Sequence, residues 1–390
     1  MINIKLMNKI SKVGLDAFDK NLYNVGDDVE APVALMVRSA KLNGMTFDPA
    51  TIAIARAGAG VNNIDCDTCA EDGIVVFNTP GANANAVKEL TIAALILASR
   101  DIVGGIAWAE GLDNPEGGVA KAVEKGKSAF AGNELLGKTL GVIGLGAIGG
   151  LVANAATKLG MKVIGYDPHL SVNAAWHLSG SVIKADSFED IFKNCDYITL
   201  HVPSTPDTKG MINARALGMM NPGVKLINMA RGDLVVVNDV KAALAEGKLS
   251  VYVTDFPSED TIGVKGIINV PHLGASTEES EETCAFMAAK ELCDYIRYGN
   301  IKNSVNYPAV SIPACGEPSG NRLCVCHKNV ANMLARITSA VSAQSLNIEN
   351  LSNGSKGEYS YTIIETSTPI PTVVADSVGA FDNVIKVRIV

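Results

Sequence analysis

Residues 132–150 read GNELLGKTLGVIGLGAIGG and satisfy two nucleotide-binding patterns that demand different folds. Gly132 to Thr139 fit the phosphate-loop pattern GxxxxGK[ST], whereas Gly144, Gly146 and Gly149 fit the dinucleotide pattern GxGxxG. A phosphate loop follows a strand and opens a helix, so that backbone N–H groups and the helix N-terminus converge on the phosphates. Gly132 instead follows the polar residues 124–128, and Lys138-Thr139 leads into the apolar, strand-like residues 140–143. The second pattern has the surroundings it needs. The strand ends at Gly144, Leu151, Val152, Ala155 and Leu159 then recur at helical spacing, Gly160 stops the helix, and residues 161–167 read as the next strand. Asp167 lies 18 residues beyond Gly149 at the end of that strand. A carboxylate there accepts hydrogen bonds from both ribose hydroxyls and repels a 2′-phosphate. The chain is therefore expected to bind NAD rather than NADP or ATP.

Alternating strand and helix patterns, 47% apolar residues and only 19% charged ones describe an α/β protein, and 390 residues supply two or three domains with sizeable cores. A net charge of −8 argues against nucleic acid or an anionic membrane as the main partner. The opening MINIKLMNKI has no apolar signal core, and no run approaches the roughly 18 apolar residues of a membrane span. A cytoplasmic location is expected. Cys66 and Cys69 have the spacing of half a zinc site but no second pair at the usual distance, so no metal is expected. Cys324 and Cys326 alternate along a strand and should share one face, while Cys195, Cys284, Cys293 and Cys315 are scattered. All are read as reduced packing thiols.

Short strands at 34–37, 52–56 and 73–77 and a helix over 88–99 describe a first domain, 1–95, to which a helix over 279–298 returns the chain, adding 281–306. The nucleotide-binding domain is expected over 96–280, with further strands at 197–201, 225–229, 251–254 and 266–270 and an irregular interruption at 111–118. A Pro-containing segment, 307–319, reads as a linker to a separate module, 320–390, of pattern strand, helix, strand, strand, helix, strand.

Three strand ends of the nucleotide block carry unusual residues: Asn228 to Asp233 with Arg231, Phe256 to Glu259, and Pro271 to Thr277 with His272. In an open α/β sheet ligands bind outside the carboxyl ends of the strands, so these groups can reach one crevice. Oxidising a secondary alcohol needs a base for the hydroxyl proton, and histidine titrates near working pH. A neighbouring carboxylate would orient it and favour imidazolium, and an arginine fork would hold a substrate carboxylate.

On these motifs the chain resembles the D-2-hydroxyacid dehydrogenases, and within them the branch acting on 3-phosphoglycerate. The resemblance implies two Rossmann-like doubly wound parallel-sheet domains. It makes His272 the acid–base, Glu259 its partner and Arg231 a substrate ligand. It assigns cofactor contacts to Gly144, Gly146, Ala147, Ile148, Gly149, Asp167, His201, Val202, Pro203, Thr208, Ala230 and Gly274. The segments Val37-Arg38-Ser39, Arg56 to Val61 and Pro80 to Asn83 are similar to the family's substrate loops, which implies roles for Arg38, Ser39, Gly58, Ala59, Gly60 and Asn83. One departure stands out: where the family has Asp-Val-Phe, this chain has Thr254-Asp255-Phe256. The cofactor-amide contact is assigned to Asp255.

The C-terminal module is similar to a ferredoxin-like βαββαβ ACT domain, a regulatory unit. The resemblance implies L-serine bound by His327, Asn329 and Asn347 across a two-fold interface, with the homodimer or homotetramer of the family. The small-molecule substrates it implies are 3-phosphoglycerate and 3-phosphooxypyruvate, first step of serine synthesis. The alternatives are reduction of another 2-keto acid, such as glyoxylate or hydroxypyruvate, and an NADH-sensing, corepressor-like interaction protein.

Overall fold

The computed structural model describes residues 1–313 and 316–390, so Cys315 lies outside the described residues. The chain divides into two compact units, Ala84–Thr277 and the remainder, Met1–Asn83 with Glu278–Val390.

The first unit holds two sheets. One is fully parallel, built from β1 (Ile2–Leu6), β2 (Tyr23–Gly26), β3 (Ala34–Val37), β4 (Ala53–Arg56) and β5 (Val75–Phe77) in the order β2-β1-β3-β4-β5. Strands β3 (ALMV) and β5 (VVF) are buried throughout, as parallel strands covered on both faces are. The long helix Glu278–Tyr298 seals one face, packing Ala285, Ala288, Ala289, Leu292 and Tyr295 into a core with Ile4, Met36, Ala53 and Phe77.

The second parallel sheet, in the other unit, contains β6 (Thr139–Ile143), β7 (Lys162–Tyr166), β8 (Ile183–Lys184), β9 (Tyr197–Leu200), β10 (Val224–Asn228), β11 (Leu249–Thr254) and β12 (Ile267–Asn269). The order β12-β11-β10-β9-β6-β7-β8 reverses at β6 and β9, which is the dinucleotide-binding topology with its crevice at the carboxyl ends of those two strands. One face is covered by helices Ala84–Ser99 and Ala147–Lys158 through Val87, Leu95, Val152, Ala156 and Val253. The other carries Phe192, Leu217, Val240 and Tyr252.

The C-terminal residues form β13 (Arg322–Lys328), β14 (Ile348–Lys356), β15 (Tyr359–Thr366) and β16 (Val384–Ile389), an antiparallel sheet of order β14-β15-β13-β16 with helices Met333–Ser342 and Thr372–Gly379. The βαββαβ pattern read from the sequence is present. The module is not a tethered, separate body, however. Leu323 and Val325 face its own helices, while Cys324 and Cys326 point the other way, into the core of the first parallel sheet beside Tyr295 and Tyr361. Arg322 forms a buried ion pair with Glu365 at 2.8 Å and donates to the carbonyls of Tyr298, Ile312 and Pro313. The Arg388 guanidinium lies 4.2 Å from the Tyr295 ring centroid, and the Tyr361 hydroxyl donates to the Gly299 carbonyl. A buried ion pair needs such extra hydrogen bonds to offset its desolvation, and here they fix the module to its neighbour. The segment read as a linker is correspondingly packed, with Tyr307, Val310 and Ile312 buried.

Among the described residues no single helix is long and apolar enough to cross a membrane, and no group of three His, Cys, Asp or Glu side chains is arranged to hold a metal. The described cysteines are free.

Candidate active site

At the switch point each glycine of the GxGxxG motif meets a different constraint. Gly144 has φ 90°, and a Cβ there would lie 2.5 Å from the His201 carbonyl oxygen, so the chain can turn off β6 against β9 only without a side chain. A Cβ on Gly149 would sit 1.9 Å from the Gly144 carbonyl oxygen, so helix Ala147–Lys158 packs this tightly on the turn only through glycine. Around Gly146 a Cβ would meet nothing within 4 Å. The turn is thus closed at its outer glycines and open at the middle one, which is the room a pyrophosphate needs over a helix N-terminus. That helix has no side-chain cap at Gly146, leaving the N-terminal amides without a side-chain acceptor.

Asp167, half-buried just past β7, accepts from Leu145 N at 2.9 Å and from His169 N at 2.9 Å, one bond on each carboxylate oxygen. It therefore braces the glycine turn and keeps a lone pair on each oxygen for ribose hydroxyls. His201 follows β9 and its Nε2 lies 3.0 Å from Thr199 Oγ1, while its Nδ1 is buried without a partner. Burial pushes the imidazole down to about 3, which makes it a neutral wall rather than an acid–base group. Farther along the same loop the Thr208 hydroxyl donates to the Pro203 carbonyl at 2.6 Å, closing the segment that contains Val202 and Pro203.

Beyond β10, buried Asn228 organises the next loop. Its Oδ1 accepts from Ala230 N at 3.1 Å, and its Nδ2 donates to the Arg231 carbonyl at 2.8 Å and to the Tyr252 hydroxyl at 3.3 Å. Arg231 emerges exposed, one guanidinium nitrogen resting on the Ala230 carbonyl. Asn228 was not singled out by sequence; its signal was an amide at the last position of a buried strand. Beyond β12, His272 is exposed and stacks edge-on against Phe256 with centroids 5.0 Å apart. Gly274 is buried, with its Cβ position 3.2 Å from Val87 and 3.6 Å from Asp255 Oδ2.

The two carboxylates of the β11 loop differ. Glu259 is exposed, and among the described hydrogen bonds and ion pairs none joins it to His272. Asp255 is 1% exposed with Oδ1 buried and unpartnered. Burial raises its pKa, opposed by the charges of His272 and Arg231.

In the first unit, the sheet order reverses between β1 and β3, and there Asn8 Oδ1 accepts from Arg38 N at 2.9 Å. Arg56, at the end of β4, donates from Nε to the Arg38 carbonyl at 3.2 Å. Arg38 pairs with Glu281 at 2.7 Å, half exposed, whereas none of the ion pairs among the described residues includes Arg56. Burial, and then the neighbouring Arg38 charge, lower the Arg56 pKa, although Cys284 acts the other way. Gly58 folds against the Arg56 guanidinium, and the Ala59 carbonyl is held by Asn78 Nδ2 at 2.6 Å. Ser39 is exposed; Gly60 and Asn83 are half-buried. Two guanidinium groups and a glycine-bearing turn thus converge at carboxyl ends of this sheet. Arg56 opens the segment Arg56 to Val61, whose glycines rather than its arginine carry the sequence signal for a substrate loop.

In the C-terminal module, His327 lies within β13 rather than in the following loop. It is 3% exposed, with Nδ1 2.9 Å from the Lys328 carbonyl and Nε2 2.9 Å from Thr362 Oγ1. Both nitrogens are taken and burial lowers the pKa, so the structure makes it a satisfied core histidine. Asn329 is occupied by the adjoining hairpin, through the Gly357 carbonyl and Ser355 Oγ. Asn347 is exposed just before β14, at the far end of that strand.

Comparisons with known proteins agree with this topology. Residues 106–274 match the sequence profile of the D-isomer specific 2-hydroxyacid dehydrogenase NAD-binding domain. The chain is 36% identical over 263 residues to the D-3-phosphoglycerate dehydrogenase of Methanocaldococcus jannaschii, covering 66% of this chain and 48% of that protein. It is 31% identical over 330 residues to the Bacillus subtilis protein of the same name, covering 80% and 60%. It thus spans about half the length of the curated relatives it matches. The NAD+-bound 3-phosphoglycerate dehydrogenase of Entamoeba histolytica superposes with TM-score 0.59 at 26% identity, covering 78% of this chain and 98% of that one. A glyoxylate reductase from Paecilomyes thermophila, at TM-score 0.63 and 22% identity over 78% and 98% of the two chains, shares the fold. Over residues 106–274, the chain is therefore similar to the NAD-binding domain of the D-isomer specific 2-hydroxyacid dehydrogenases.

Proposed function

We propose that the chain is an NAD-dependent dehydrogenase of the cytoplasm that interconverts 3-phospho-D-glycerate and 3-phosphooxypyruvate, the entry step of L-serine synthesis. The observation that carries this reading is the glycine turn at 144–149, closed at both ends, open at Gly146 and braced by Asp167. Gly144, Gly146, Ala147, Ile148 and Gly149 would receive the pyrophosphate, Asp167 the ribose, and Val202, Pro203, Thr208, Ala230 and Gly274 the remainder. Bound NAD supplies the two-electron acceptor.

The protein's own part is proton and charge management. His272, exposed and backed by Phe256, takes the substrate hydroxyl proton and returns it in the reverse direction. Arg231, presented by Asn228, forks the substrate carboxylate. Arg38, Ser39, Asn83 and the backbone of Gly58, Ala59 and Gly60 hold the rest of the substrate, and Arg56, desolvated and without an acid, adds charge for its anionic end.

Serine feedback through the C-terminal, ACT-like module is proposed to use Asn329 and Asn347 of different copies. Within one copy the two lie at opposite ends of the nine-residue β14, about 25–30 Å apart at ~3.3 Å per residue. Homo-oligomerisation is supported by helix Ile102–Glu110, which is largely apolar yet buries no residue and leaves Val103 and Ile106 half exposed.

The test is kcat/KM for 3-phosphooxypyruvate, glyoxylate and hydroxypyruvate with NADH, with and without L-serine. Preference for the phosphorylated acid by more than about 100-fold, some 2.7 kcal/mol, supports the assignment. Turnover of only an unphosphorylated acid replaces the substrate, and tight NADH binding without turnover of any favours a sensor.

A further inference from the structure

We propose that the cleft lined by Glu291 of helix Glu278–Tyr298 is a binding site for an apolar α-amino acid. Its ammonium meets the free Glu291 oxygen, its carboxylate meets Lys290, and its side chain lies on Phe286 and Met287. The cleft is separate from the substrate loops: Glu281, the partner of Arg38, lies ten residues up the same helix, about 15 Å away at ~1.5 Å per residue.

The helix presents two rows to this cleft at helical spacing, Phe286, Lys290 and Cys293 in one and Met287, Glu291 and Asp294 in the next. Lys302 and Asn303, which follow the helix, complete the polar lining, and the volume is about 600 Å³, within the range of small-molecule sites. Several of the charges here are already answered. Asp294 pairs with Lys302 at 2.7 Å, and Arg297 pairs with Glu317. Two groups are not. Lys290 is exposed, its ammonium 5.0 Å from the Phe286 ring centroid, and it belongs to none of the ion pairs among the described residues. Glu291 is 7% exposed; its Oε1 accepts from Asn303 Nδ2, while its Oε2 is buried without a partner.

A carboxylate oxygen withdrawn from water and left unpaired costs free energy, and the asparagine bond satisfies only half of this group. Burial holds Glu291 up at about 7 against that bond and the Lys302 charge. An ammonium placed on Oε2 supplies the missing donor and a full counter-charge where water screens neither. Lys290 and the apolar wall beside it then select the rest of the ligand, an anionic end next to an apolar body. A plain amine leaves Lys290 unanswered, and a plain carboxylic acid meets Glu291 as a like charge. The zwitterion answers both.

The test is calorimetric titration of the full-length protein with L-phenylalanine, L-leucine and L-methionine, beside the two half-molecules phenethylamine and 3-phenylpropionate. Saturable binding of at least one amino acid is expected, with a dissociation constant below about 1 mM, and L-phenylalanine should bind at least about tenfold more tightly than either half-molecule. Glu291→Gln keeps the side-chain volume and the acceptor for Asn303 but removes the charge. It should weaken binding by at least about tenfold while melting no lower than wild type, which separates lost binding from lost folding. Lys290→Ala, at an exposed position, should weaken the amino acid by about threefold and leave phenethylamine unaffected. No saturable binding of any of the three amino acids overturns the proposal. So does equal affinity in wild type and Glu291→Gln, or phenethylamine binding as tightly as L-phenylalanine. Neither keto acid nor dinucleotide enters the titration, so its outcome is independent of the dehydrogenase reading.

Discussion

Two parallel sheets in one chain share a construction and differ at the turn where the strand order reverses. After β6 the chain turns through Gly144 into a twelve-residue helix, with Asp167 holding the turn from the neighbouring strand. After β1 no glycine turn follows; Asn8 fixes Arg38, and Arg56 lies against the Arg38 carbonyl. One switch point offers backbone amides and an acid, suited to a pyrophosphate and a ribose diol. The other offers guanidinium groups, suited to a small anion. Topology supplied the place for a ligand twice, and the loop chemistry decided which ligand.

The comparison breaks most visibly at Gly149. Gly149→Ala would force a Cβ to 1.9 Å from the Gly144 carbonyl oxygen, so we expect a loss of about 3 kcal/mol, read by thermal or urea unfolding. Gly60→Ala, in the first sheet's loop with nothing within 4 Å, should cost under about 0.5 kcal/mol. Arg56→Ala should raise the KM for the keto acid by about 30-fold, roughly 2 kcal/mol for a charge-assisted contact, and leave the NADH Kd unchanged.

A pH effect separates the units further. Glu291, on helix Glu278–Tyr298, is 7% exposed with Oε2 unpartnered, and burial pushes it up to about 7 against the Asn303 hydrogen bond and Lys302. A carboxyl whose folded pKa lies above its unfolded value destabilises the fold as pH rises from about 4.5 to about 7, where the folded state gives up a proton it holds more tightly. Glu291→Gln, keeping the Asn303 bond, should be neutral at pH 4 and gain about 2 kcal/mol at pH 8. A gain equal at both pH values would contradict this. A smaller effect on binding belongs to Asp167: Asp167→Asn should weaken NADH binding by about tenfold, roughly 1.4 kcal/mol, and narrow the preference over NADPH, read by fluorescence titration.

What the sequence made legible follows the same division. The strands at 34–37 and 139–143, the glycine turn and the βαββαβ pattern were all readable, because backbone geometry and apolar periodicity depend on near neighbours. The partners of a face were not. Cys324 and Cys326 announced that a second face of β13 is apolar, but not that it packs against Tyr295 of the first unit. His327 carried a ligand-like residue type, yet Thr362, 35 residues away, already occupies its Nε2. The acids of the β11 loop differ in a way that spacing does not report: counting from Phe256 points to Glu259, which is exposed, while strand alternation buries Asp255. Charge placement depends on long-range packing, which spacing alone does not report.

The central claim is that the open glycine of the 144–149 turn receives the dinucleotide. It is tested most directly by titrating NADH into wild type and Gly146→Val while recording the melting temperature of each. The account predicts saturable binding by wild type, a loss of more than about 100-fold in affinity in the variant, and a melting temperature within about 2 °C, since a Cβ there meets nothing within 4 Å. Equal NADH affinity in the two proteins would contradict it.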